Sequence, residues 1–455
     1  MARLIKGPPG ATHPTNLYSQ LGLQDNPFPI EGIINRASQD PRVNGTIFAP
    51  EIREEVIRDF EKKLLGVGNP EQRYRLGYHW AQGDLQTGRG VGKTAILLYL
   101  QRRINADWGE RYFDGLFPAC VLYAYPQQGM NKLEYVAIMA LQELVMQGVL
   151  ESVLTNLRYQ VITGGDIPGE VDTVRWLTPE DGGHLLNTEW LTQHGFDLAV
   201  LNEKVVARLV TAGVESNFAQ AVAINDLLGY LKTMRRDQQL GFPPPPRDVA
   251  LYRKANSLFF TQALRTLKSA GFRGAYLFID DIENMIDQMG RRERETFAKE
   301  LGYLLLRGEY EAGMSRFLTI VLTTHAAAAQ RLSEAWGLAG LQASLPMSLD
   351  APNSILVPVF NMAEAKEVVK RHVDYYHEPG APTPYHPFTE EAVELLVKRC
   401  DYHPREFLSR AHHIVERAIQ DAQRIEITVS FVAACLEDTA GLIAGTDETI
   451  DVTLL

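Results

Sequence analysis

Between residues 85 and 100 the chain reads LQTGRGVGKTAILLYL. A loop that holds phosphate needs backbone N–H groups turned into one concavity, a lysine that reaches the outer phosphates, and a hydroxyl for a magnesium ion. Gly88, Gly90 and Gly92 permit so tight a turn, Lys93 brings the charge, and Thr94 brings the hydroxyl. Thr87 stands where the first glycine of G-x-x-x-x-G-K-[ST] is expected, and Gly88 beside it is expected to absorb the turn. The binding loop is therefore read as Thr87, Gly88, Arg89, Gly90, Val91, Gly92, Lys93, Thr94 and Ala95. A helix starting near Thr94 adds the positive end of its dipole.

Such a loop needs carboxylates opposite it. AYLFIDDIEN, residues 275–284, is an apolar strand running into two adjacent acids. Asp280 at the strand end suits a magnesium ion held through water, and Asp281 suits polarising an attacking water, with Glu283 the alternative. Asp281 is one methylene shorter than glutamate, which suits slow or tuned hydrolysis. A second apolar strand, FLTIVLTTH (317–325), also turns polar at its end. Thr323 or Thr324, or else His325, would orient the water or sense the terminal phosphate. In YHPREFLSRA (402–411) Arg405 opens a helix just after Pro404, a residue suited to a first helical turn, and would reach the terminal phosphates. ATP and Mg2+ are the cofactors these groups imply.

The elements that must position these residues can be read from periodicity. Residues 76–126 read as strand, glycine loop, helix and strand. GAYLFIDD, the helical RERETFAKELGYLLLRG, FLTIVLTTH and SILVPVF continue the alternation. Strands alternating with helices imply an α/β fold with a parallel sheet covered on both faces. The interval 127–273 is too long for one crossover and is expected to hold a mostly helical insertion, in which EKVVARLV and VAINDLLGYLKTM look helical. GFPPPP (241–246) is expected to be a stiff spacer. After residue 361 the pattern turns wholly helical to about 440, and the acidic tail 441–455 is expected to be loose. Residues 1–45, rich in Pro, Gly and Asn, suggest an extended arm whose Phe28 docks on a neighbouring surface. A helix is expected at about Glu51 to Leu65.

Composition sets limits on this picture. With 45% apolar and 22% charged residues, the 455-residue chain has the balance of a globular protein, long enough for two or three domains. A net charge of -11 argues against a whole-surface nucleic-acid binder but leaves room for a local basic groove. Cys120, Cys400 and Cys435 have no metal-ligand spacing and read as buried thiols in a reducing compartment. With no apolar leader and no run of about 18 apolar residues, the expectation is a cytoplasmic protein without membrane contact.

Taken in order, the four motifs resemble those of AAA+ ATPases. The glycine loop resembles Walker A, LFIDD Walker B, VLTTH the sensor-1 strand, and HPREFL the sensor-2 start of a lid helix. HPREFL is nearest in style to the initiator group, which includes origin-recognition and transposition-regulator ATPases. SAGFRGAYLFIDDIENM is similar to a stretch of the P-loop ATPases of bacteriophage-exclusion defence systems. The resemblance implies a parallel-sheet P-loop core with helices on both faces, a large helical insertion and a C-terminal helical lid. The expected boundaries are an arm at 1–45, a first part of the core at 46–126, the insertion at 127–273, a second part of the core at 274–360, the lid at 361–440 and the tail at 441–455. It also implies side-by-side homo-oligomers in which an arginine finger completes the neighbour's site. Arg331, in AAAAQRLSEAW, is the leading choice, with Arg307 and Arg316 as alternatives.

Two functions compete. One is a nucleotide-dependent switch that assembles and loads or regulates a protein partner, with DNA as a platform and with antiviral defence or mobile-element biology as the setting. The other is an ATP-bound scaffold with little hydrolysis. A separate question is DNA contact through KTMRRDQQLGFPPPPRDVALYRK, where Lys232, Arg235, Arg236, Arg247, Arg253 and Lys254 surround Phe242 and Tyr252. The alternative reading of that stretch is a solvated helix face and a linker.

Overall fold

The computed structural model describes residues 17–34, 36, 38–81, 90–115, 117–165, 167–233, 255–307, 317–380, 382–421 and 425–443. Thr87, Gly88 and Arg89, the proline tract, Arg316, the end of the tail, and the proposed DNA-contacting residues other than Lys232 lie outside them, as does the side chain of Arg307.

Five apolar runs form one parallel sheet: β1 (Leu76–Ala81), β2 (Ala119–Ala124), β3 (Gly274–Ile279), β4 (Leu318–His325) and β5 (Ser354–Val357). Their spatial order is β2-β3-β4-β1-β5. Every residue of β1 to β4 is buried, so neither face of those strands is open to solvent, as continuous rather than alternating apolar runs require. The order also creates a switch point. From β1 the chain departs toward β2 on one side, and from the adjacent β4 it departs toward β5 on the other. Ligand crevices in open α/β sheets lie at the carboxyl ends of strands where connections diverge in this way. The glycine motif follows β1, and Thr323, Thr324 and His325 end β4.

Contacts divide the chain into two compact units. One comprises Glu55–Leu85 and Tyr99–Val357; the other comprises Met1–Glu54, Gln86–Leu98 and Pro358–Leu455. The sheet lies in the first. There the helices Leu133–Met146 and Val149–Thr163, from the expected insertion, share one apolar cluster with sheet residues such as Cys120, Leu122 and Leu277. The helix Leu133–Met146 is buried over most of its length, so the insertion and the sheet have a continuous core. The expected helix VAINDLLGYLKTM is interrupted. Ser216–Ala223 and Leu227–Thr233 are separate helices, because Asn225 takes a left-handed φ of 56° and the Asp226 carboxylate accepts the Gly229 N–H at 2.9 Å.

In the second unit the helices Met362–Tyr376, Glu390–Arg399, Pro404–Ala418 and Val429–Ile443 close around Val369, Phe388, Leu396, Phe407 and Ile414. Asn361 and Glu364 make a reciprocal capping box at the first of these helices, and Thr389 caps the second. The N-terminal segment belongs to this core. Phe28 is fully buried, stacked on His372 and edge-on to Phe388, while His372 and His412 hydrogen-bond the carbonyls of Pro27 and Phe28. The surface that Phe28 docks on is the helical unit of its own chain.

All three cysteines are buried and free, and burial pushes the Cys120 and Cys400 thiols up to about 12. Among the described residues no single helix is long and apolar enough to cross a membrane.

Candidate nucleotide site

At the carboxyl end of β3 the ladder continues for one more residue, with the Asp280 N–H donating to Ala124 O at 2.9 Å. Asp280 is therefore held at backbone precision, and it is fully buried. Two hydroxyls hydrogen-bond it: Tyr123 of β2 donates to Oδ2 at 2.6 Å and Thr323 of β4 donates to Oδ1 at 2.5 Å. Both carboxylate oxygens thus have the partners that a buried polar group requires. β4 reaches Asp280 because it outruns β3: Ile279 pairs with Leu322, leaving Thr323, Thr324 and His325 beyond the last pair.

Asp281 turns the chain away from the strand at a φ of 48°, an uncommon conformation that a short polar side chain tolerates. Its N–H donates to Thr323 Oγ1 at 2.7 Å and to Asp280 Oδ1 at 3.1 Å. Its half-buried carboxylate thus stands beside the fully buried one. Glu283 is nearly sealed and lies 3.8 Å from His325 Nε2. His325 caps the helix Ala326–Leu338, its Nδ1 accepting the Ala328 N–H at 3.4 Å. Successive strand residues face opposite sides, so Thr324 points away from Asp280, and its hydroxyl donates to the His325 carbonyl at 3.2 Å. Of the two threonines left open by the sequence, Thr323 is the one that meets the carboxylate. Burial and the charges of Asp281, Asp280 and Glu283 push the Tyr125 hydroxyl above its usual range, with Asn284 opposing.

The glycine loop lies in the other unit. Gly90 and Gly92 take left-handed φ values of 79° and 97°, which side chains rarely adopt, and the helix Lys93–Asn105 begins at the lysine. Val91 and Ala95 are buried, and Thr94 is half-buried. Lys93 is only 7% exposed, and among the described residues its ammonium has no hydrogen-bond or ion-pair partner. Gly90 also permits a close approach. A Cβ there would stand 2.7 Å from His403 Cε1 and 2.8 Å from Arg405 Cβ. Arg405 opens the helix Pro404–Ala418, so the backbone of the loop packs on the first turn that carries it.

Arg331 lies on the helix Ala326–Leu338, partly exposed and ion-paired with Asp287. Two residues absent from the sequence reading support these segments, each within its own unit. Tyr123 hydrogen-bonds Asp280, and Arg53 hydrogen-bonds the loop carbonyl of Val91. A phenol near the end of an otherwise apolar strand is a detectable signal for the first. Arg53 lies among the charges of an amphipathic turn and has no such signal.

No family model and no curated protein matches the chain. Among solved structures it is similar to the ORC2 protein of Aeropyrum pernix, determined as ADPNP–ADP complexes, at 11% identity and a TM-score of 0.39, covering 90% of this chain and 72% of that one. At that TM-score the likeness is too loose to bear on fold or function.

Proposed function

We propose that the chain binds ATP with Mg2+ at the glycine loop and hydrolyses it. The observation that carries this reading is Lys93. Lys93 is 7% exposed and stands at the N-terminus of a 13-residue helix, behind two left-handed glycines. An anion of phosphate type completes that arrangement, because backbone N–H groups and the helix dipole already favour negative charge there.

On this reading Lys93 binds the outer phosphates, while Gly90 and Gly92 let the backbone wrap them. Thr94 and Asp280 are the oxygens that would hold magnesium, an ion that commonly takes one or two protein ligands beside phosphate. When bound, it neutralises charge on the phosphate oxygens. Asp281 accepts the proton of the attacking water, since its half-buried carboxylate is fixed by its own backbone bond to Thr323, whereas Glu283 faces His325. Thr323 orients Asp280 through its hydroxyl. Arg405 neutralises the terminal phosphate from the lid helix, and Arg331 serves a neighbouring subunit as the finger once it leaves Asp287. The initiator-like motifs support assembly into a homo-oligomer that loads or regulates a protein partner on DNA. The likeness of SAGFRGAYLFIDDIENM supports phage defence as the setting.

A second reading is favoured by the short, left-handed Asp281: a nucleotide-dependent scaffold with little turnover. ATP turnover and oligomeric mass, measured together with and without duplex DNA, separate the two. Turnover abolished by Asp281→Ala supports the enzyme. Tight ATP binding without turnover supports the scaffold. Nucleotide binding and assembly unchanged in Lys93→Ala would refute both.

A further inference from the structure

Arg53 ends the turn Pro50–Arg53 and is 2% exposed, an unusual place for a guanidinium. It touches three segments of the second unit. Nη2 donates to Pro358 O at 2.9 Å and to Val91 O, in the glycine loop, at 3.3 Å. The guanidinium carbon lies 3.7 Å above the Phe360 ring. Nη1 is 3.6 Å from the Glu364 carboxylate, which itself accepts the Asn361 N–H in the capping box of the helix Met362–Tyr376. One planar cation thus joins the phosphate loop, the chain leaving β5, and the first turn of the lid.

We propose that Arg53 is a positioning residue that couples the phosphate loop to the first lid helix, so that nucleotide on the loop and the order of that helix determine each other. The coupling rests on the nucleotide reading above. Its physical basis is geometric. A phosphate drawing the loop N–H groups inward moves the Val91 carbonyl, and the guanidinium that binds it also orients Glu364 and rests on Phe360. Nε and Nη1 are buried without hydrogen bonds, so the guanidinium's contacts are not optimised for the resting fold alone. A structural cation would gain more from full satisfaction.

The test uses the full chain with Mg·ATP as the probe. Calorimetry gives affinity, hydrogen exchange over residues 362–376 gives the response of the lid helix, and thermal melts give stability. The wild type is expected to bind ATP, with exchange over 362–376 slowed about fivefold or more, the lower end of typical site-to-site coupling. Arg53→Met, apolar and of similar length, is expected to keep ATP affinity within about threefold while most of that slowing disappears, a separation smaller than the coupling it removes. Arg53→Lys, which keeps the charge but not the planar fork, should restore part of the response. Glu364→Gln leaves the contacts to Val91 and Pro358 in place and should lose an intermediate share. A wild-type response in Arg53→Met overturns the coupling, as does a loss of affinity and response in proportion to the fall in melting temperature. If Arg53→Met does not fold, an undiminished response in Glu364→Gln overturns it. A wild type that binds no ATP overturns the nucleotide reading and the coupling with it, whereas ATP binding with an unlinked lid overturns the coupling alone.

Discussion

Buried charge governs this site residue by residue. On the proposed nucleotide reading, Lys93→Ala removes the cation that binds the outer phosphates, and ATP affinity measured by calorimetry should fall at least about tenfold, the cost of one charge-assisted hydrogen bond. Tyr123→Phe deletes one of two hydroxyls on a fully buried carboxylate. Chemical denaturation should show a loss of about 2 kcal/mol, in the range for hydrogen bonds to charged groups. A carboxyl group with no catalytic part behaves differently. Burial, then repulsion from Glu134, raises Glu300 to about 7, with Lys132 opposing. Because the folded state holds this proton more tightly than the unfolded chain, the stabilisation is full below the ordinary value of 4.5 and is lost as pH rises through about 7. Glu300→Gln should flatten the melting-temperature profile across that window.

At the level of elements, the N-terminal segment is a working part of the helical unit. Phe28→Ala empties a site enclosed by His372 and Phe388, and should cost about 3–5 kcal/mol in a denaturation experiment. His372 adds a pH dependence of the opposite sign to that of Glu300. Burial lowers its imidazole to about 4, against the Pro27 carbonyl bond that raises it. The folded state disfavours the proton, so this contribution is present above the ordinary 6.5 and is lost as pH falls through about 4. His372→Asn, which keeps a donor for Pro27 but does not titrate, should remove that acid limb. Gly90 has a comparable role at the loop, since both its φ and the nearness of His403 and Arg405 exclude a side chain. Gly90→Ala should therefore weaken ATP binding in calorimetry, with little change in the far-UV spectrum.

For the molecule as a whole, the question is assembly. Arg331 is tied to Asp287 within its own chain, so its use as a finger requires exchanging that partner for a neighbour's phosphate. Arg331→Ala should lower turnover about 10³-fold, the smaller end of the range for arginine fingers, while leaving ATP affinity intact. Mixing it with Lys93→Ala should restore turnover in part, since each variant supplies what the other lacks. Sedimentation with ATP would report the accompanying growth in mass.

What was legible in the sequence was local. Runs such as AYLFI and FLTIVL, apolar but for Thr319, fit a strand buried on both faces, and the polar residues that end them mark the strand ends. Gly-Lys-Thr before an apolar run marks a helix N-terminus suited to phosphate. The helical character of the chain after residue 361 showed through its period. The tertiary structure decided whatever depends on residues far apart in the chain. Thr323 rather than Thr324 meets Asp280 because β4 outruns β3 by three residues, a matter of register between strands. Tyr123 reaches the same carboxylate across 157 positions, and Arg53 reaches Pro358 across 305. Phe28 lies in the core of the helical unit, where the sequence alone suggested only an arm docking on a neighbouring surface. Such contacts depend on burying two distant surfaces together, whose free energy belongs to the folded whole and leaves no period in the sequence.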